Sequence, residues 1–138
     1  MSGHEVKSTD IGYFHSCSLE ELALYNEIRI SAQSLSENLI RSFDAVVHLA
    51  GISNDPVKQM SESSLYDPAV GYSKRLAEFC AAENIKFIFA SSCSVYGKQT
   101  STVDEMAETN PQTPYSKNKL EIEECLLNLK TENWILSL

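Results

Sequence analysis

The sequence predicts an α/β protein built on a doubly wound parallel sheet, and two features of its 138 residues carry the prediction. Short, continuous apolar runs alternate along the chain with segments of helical period. The runs are β-rich, as strands covered on both faces should be. Strand, helix and strand in alternation imply crossover connections, which join parallel neighbours.

The elements follow in order. H-E-V-K-S-T-D (4–10) and N-E-I-R-I (26–30) read as weaker strands, with a short helix from Ser18 to Leu24 between them. Leu35, Leu39 and Phe43 fall on one helical face and predict a helix, after which D-A-V-V-H-L-A (44–50) reads as a strand. Tyr72, Leu76, Phe79 and Cys80 mark a second helix, followed by the strand K-F-I-F-A-S (86–91). A third helix opens at Thr113, a natural N-cap, with Pro114 where a missing N–H does no harm, and buries Ile122, Leu126 and Leu129. N-W-I-L-S-L (133–138) is the last strand. With 43% hydrophobic residues the chain can fill one compact core and is too short for two ordinary domains, so 1–138 is expected to be a single unit or a piece of one.

Nineteen acidic residues against 11 basic give a net charge of −8, which argues against a nucleic-acid binder, since that needs clustered Lys and Arg. It leaves small phosphate compounds open, because backbone amides at a helix start can hold them. Cys17, Cys80, Cys93 and Cys125 show neither C-x-x-C spacing nor a histidine cluster, so reduced thiols and no metal site are expected. Apolar runs such as Ala45 to Ile52 are far below membrane-spanning length, and residues 1–20 lack the pattern of a signal peptide. A cytoplasmic protein fits these features.

In parallel sheets ligands bind beyond the carboxyl ends of strands. There this chain places Ala50-Gly51, small enough to let a flat ligand reach the backbone, and the hydroxyls of Ser91-Ser92. Each pair reads equally well as an ordinary strand-to-loop turn. Tyr115 and Lys119, four apart in T-P-Y-S-K-N-K-L, share a helical face. A nearby cation and the positive end of a helix both favour a phenolate, which makes proton exchange by Tyr115 feasible. The other reading is an amphipathic helix with Tyr115 packed inward and Lys119 in water.

Taken together, F-D-A-V-V-H-L-A-G, F-I-F-A-S-S-C-S-V-Y-G and P-Y-S-K-N-K-L-E-I-E-E resemble the extended short-chain dehydrogenase/reductases, the NAD-dependent epimerase/dehydratase family acting on nucleotide sugars. The resemblance covers essentially the whole chain and implies a Rossmann-like sheet. It implies that Ser92 bonds the reacting sugar oxygen, that Tyr115 is the acid/base, and that Lys119 assists the tyrosine and holds the nicotinamide ribose. It also places Asp10 on the adenosine ribose, Glu27 and Ile28 beside adenine, and Ala50 and Gly51 along the cofactor wall. A carboxylate at Asp10 favours NAD over NADP, because it repels a 2′-phosphate. Family dehydratases carry Asp-Glu after the Ser/Thr and the decarboxylases a Glu second, whereas this chain has Cys93-Ser94; epimerisation or carbonyl reduction remains. Family dimers imply a homodimer through the helices from Tyr72 to Glu83 and Ser116 to Leu129.

Measured against the family pattern, the chain is expected to lack the first strand with its glycine-rich turn and the C-terminal substrate lobe. A partial NAD(P)-binding domain, or a misbounded reading frame, of a nucleotide-sugar epimerase or reductase is one expectation. A degenerate member kept as a non-catalytic binding or scaffold module is the other. On either, exposed strand edges should leave the isolated chain poorly stable, prone to associate and at best weakly active.

Overall fold

A computed structural model of the chain describes residues 3–12, 28–51, 62–129 and 134–137. They fall in two compact units, Met1–Ser36 and Glu37–Leu138.

In the first unit, strand β1 (Thr9–Asp10) lies parallel to β2 (Ile28–Arg29), with Thr9 opposite Ile28 and Asp10 opposite Arg29. Bonds from Ile28 N to Ser8 O (2.8 Å) and from Ile30 N to Asp10 O (3.1 Å) flank the pair. Strand β1 is shorter than the expected 4–10, and residues 26–27 of the second expected strand lie outside the described residues. Residues 4–8 are exposed, and the Ser8 carbonyl accepts from Ile28 N just before the ladder begins. The helix expected from Ser18 to Leu24 lies outside the described residues.

The second unit holds α1 (Glu37–Ile40), β3 (Ala45–His48), α2 (Glu62–Ala82), β4 (Lys86–Ala90), α3 (Pro114–Asn128) and β5 (Trp134–Ser137). Helix α1 is a single turn, not the longer helix that Leu35, Leu39 and Phe43 suggest. Leu35 is extended, with ψ 129°, and the Ser42 amide and hydroxyl both bond Leu39 O, at 3.1 and 2.7 Å. A serine hydroxyl on that carbonyl competes with helix continuation, and the chain turns into β3.

The strands run parallel in the order β3-β4-β5, with Val46 opposite Phe87 and Phe87 opposite Trp134. Phe87 and Phe89 alternate inward on the central strand and are fully buried. Against them lie Val70, Leu76, Ala77 and Cys80 of α2 and Ile122 and Leu126 of α3, all buried. A Lys74–Glu121 ion pair (2.5 Å) ties the two helices together. Helix α2 ends in a Schellman turn: Asn84 is left-handed (φ 58°), and Ile85 N reaches back to Cys80 O at 2.8 Å. Buried Ile85 then leads directly into β4.

The expectation that the strands are covered on both faces fails for β3. Val47 and Leu49 are 56% and 70% exposed. Both helices pack on the His48–Phe89 side. The described strands form two separate sheets, β1-β2 and β3-β4-β5, with no ladder from either onto the free edge of β3. No helix among the described residues is long and apolar enough to cross a membrane.

Candidate active site

The site gathers at the carboxyl end of β4. Ser92 is extended (φ −158°, ψ 137°) and caps a short 3-10 turn, Cys93–Tyr96. Its Oγ accepts from Ser94 N at 3.3 Å and from Ser94 Oγ at 2.9 Å. With its lone pairs so engaged, Ser92 is left to donate its own proton outward. The turn closes at Gly97, whose φ of 65° and ψ of −151° suit essentially glycine alone. A side chain there would also meet Asn110 O at 2.1 Å. The Asn110 amide bonds Val95 O (2.9 Å), so V-Y-G serves to pin both ends of the 97–110 loop.

Helix α3 carries the other half of the site, and its first turn is fixed by a reciprocal cap. Thr113 Oγ1 accepts from Ser116 N (3.1 Å) while Ser116 Oγ accepts from Thr113 N (3.0 Å), with Pro114 at the first helical position. Tyr115 stands in that turn, half-buried. One turn on, Lys119 is only 7% exposed: its Nζ donates to Ala90 O at 2.7 Å and lies 4.6 Å from the Phe89 ring centre and 5.6 Å from that of Tyr115. Burial lowers the Lys119 pKa from its usual value, with the Glu123 charge working against the shift. Lys119 is therefore not the solvated lysine of an amphipathic helix. Gly51, just beyond β3, borders the same ammonium; a Cβ there would sit 3.9 Å from Nζ.

The structure thus brings Gly51, Ser92, Tyr115 and Lys119 to one sheet edge, with Ala50 exposed beside Gly51. Asp10 and Ile28 belong to the other unit. Asp10 is exposed at the end of β1, its Oδ1 accepting from Gly12 N at 2.5 Å, and Ile28 is half-buried at the start of β2. Glu27 lies outside the described residues. No group of three or more His, Cys, Asp or Glu among the described residues could hold a metal.

Two neighbours escaped the reading of the sequence. His48, at the end of β3, is buried with Nε2 2.7 Å from Ser73 Oγ and its ring against Tyr72, Phe87 and Phe89. Burial, helped by the Lys119 charge, pushes its pKa down to about 4, so it is a neutral wall behind the lysine. Glu123, also buried, accepts a hydrogen bond from Ser91 Oγ. The signal for it was the K-x-x-x-E spacing from Lys119, within the same motif.

The profile of the NAD dependent epimerase/dehydratase family matches residues 3–136. An uncharacterized UDP-glucose epimerase of Bacillus subtilis (strain 168), YtcB, is 33% identical over 88 residues, which cover 60% of this chain and 27% of that protein. The fold is similar to that of UDP-glucuronic acid 4-epimerase from Bacillus cereus, solved with UDP-glucuronic acid and NAD: TM-score 0.72, 24% identity, 91% of this chain and 41% of that one. It is also similar to an NAD dependent NDP-hexosamine 5,6-dehydratase involved in tunicamycin biosynthesis: TM-score 0.82, 20% identity, 98% of this chain and 46% of that one. The chain spans less than half the length of each of these proteins.

Proposed function

The chain belongs to the NAD dependent epimerase/dehydratase family, and on that premise we propose that it is part of an NAD-dependent nucleotide-sugar epimerase or ketoreductase with Tyr115 as its acid/base. The observation that carries this reading is the buried Lys119, held between Ala90 O and the Tyr115 ring at the strand end that bears Ser92.

In the second unit Lys119 commits one of its three protons to Ala90 O and has others for the nicotinamide ribose hydroxyls, while bare backbone at Ala50-Gly51 leaves a flat approach beside it. In the first unit Asp10 spends one carboxylate oxygen on Gly12 N and keeps the second as an acceptor for a diol. NAD, when bound, supplies the hydride acceptor. The chain's own residues handle the proton: the Tyr115 phenolic oxygen, with Lys119 one turn on, takes it from a sugar hydroxyl while Ser92 donates a hydrogen bond to the same oxygen. An epimerase returns the proton by the same route; in a reductase the step runs only in reverse, the Tyr115 hydroxyl giving its proton to the carbonyl oxygen and the reduced cofactor being the hydride source.

Against dehydration stand Cys93 and Ser94, neither of which is a carboxylic acid able to protonate a departing hydroxyl; the Ser94 hydroxyl is already bonded to Ser92. In this reading residues 1–138 are a portion of one dinucleotide-binding domain acting in the cytoplasm. A homodimer would form through α2 and α3, on which Leu127 is 60% exposed.

Calorimetric titration of the chain with NADH is the test. Saturable binding that weakens at least tenfold in Lys119→Met supports the reading and leads to assays on UDP- and dTDP-sugars, in which Tyr115→Phe should lower turnover by roughly 10²- to 10⁴-fold. A folded chain that binds no NADH would instead favour a non-catalytic binding or scaffold module.

A further inference from the structure

Lys119 and Glu123 sit one turn apart on α3, 7% and 8% exposed, and each reaches the end of β4. Lys119 Nζ donates to Ala90 O at 2.7 Å, and Glu123 Oε1 accepts from Ser91 Oγ. Residues 90 and 91 are consecutive, and the next is Ser92. A buried carboxylate is costly unless its oxygens are bonded and its charge is balanced, and here one hydroxyl and one ammonium do both.

We infer that Glu123 is a positioning residue: with Lys119 it ties α3 at two points to consecutive residues of β4, and so sets where Ser92 stands relative to Tyr115. One tie alone would leave the helix free to pivot about the lysine. Two ties a turn apart fix both its height along the strand and its rotation. The role rests on the reading of Ser92 and Tyr115 given above, whereas the ties themselves do not.

Electrostatics runs through the same pair. Burial raises the Glu123 pKa, the Ser91 hydrogen bond and the Lys119 charge oppose the rise, and the Glu124 charge adds to it. From the 3-10 turn Tyr96 faces Glu123, its phenol raised first by burial and then by that charge. From β3 the neutral His48 faces Lys119. The Glu123 charge opposes the downward shift that burial gives Lys119.

The test uses the full chain labelled with ¹³C-lysine and ¹⁵N, and two variants that separate the tie from the charge. Glu123→Gln keeps an oxygen for Ser91 but removes the charge, so the Lys119 side-chain resonance should titrate at lower pH, with hydrogen exchange over 90–92 unchanged. Ser91→Ala keeps the charge and removes the tie, so exchange over 90–92 should accelerate on the order of tenfold, with the Lys119 titration in place. An unmoved Lys119 midpoint in Glu123→Gln overturns the inference, as does unmoved exchange in Ser91→Ala. Should Glu123→Gln not fold, Ser91→Ala decides alone, being a small change at a half-buried site. Neither readout requires NADH, so failure of the proposed function would register separately.

Discussion

The imidazole of His48, closed in by Tyr72, Phe87 and Phe89, titrates at about 4 rather than at the 6.5 of a free side chain, chiefly because it is buried. The unfolded chain therefore takes up the proton first as pH falls. Stability from this group is complete above about pH 6.5 and is lost downward through the window to about pH 4, on the order of 2 kcal/mol by about pH 4.5. Denaturant midpoints at the two ends of that window should differ less in His48→Gln, which can still bond Ser73 but does not titrate there. Ser92, Tyr115 and Lys119 were singled out in the sequence by residue type and spacing read together with the surrounding motifs, and the structure places them at one strand end. Glu123 was not singled out, because L-E-I-E-E offers three acids and only its spacing four residues after Lys119 marks it out. Packing separates them in the same way: Glu121 meets Lys74 at the helix–helix seam, Glu124 is exposed, and Glu123 turns inward.

At the scale of elements, the cap of α3 does the placing of Tyr115. Thr113→Ala removes the acceptor for Ser116 N and should cost about 1 kcal/mol of stability, read from thermal unfolding. Amide exchange should rise in the first turn of α3 and not in its last. This helix could be read from Thr113, Pro114 and the apolar spacing because each local preference agrees with its packing. For α1 the same period misled, since the Ser42 hydroxyl takes the Leu39 carbonyl and stops a helix that the Leu35, Leu39 and Phe43 pattern would continue. In β3 the run A-V-V-H-L was correctly a strand, but composition does not say which face a neighbour covers. Val47 and Leu49 are apolar and exposed.

For the whole molecule, the parallel order β3-β4-β5 follows from alternation along the chain, while the separation into two sheets reflects which strands find a partner. Among the described residues β3 ladders with β4 alone, and with Val47 and Leu49 exposed this edge invites pairing with another chain. Sedimentation should show association rising with concentration, and Val47→Lys should return the distribution towards a single-chain mass. A concentration-independent monomer with a cooperative melt would count against this. The hydrogen bond from Asn110 to Val95, beside the Gly97 bend, has a different reach. Because it joins the two feet of the 97–110 segment, that segment is mechanically insulated from the strand end before it and the helix after it. Its length and chemistry can drift while Ser92, Tyr115 and Lys119 stay in register. Three glycines inserted after Thr102 should leave the amide resonances over 92–96 and 113–119 where they are.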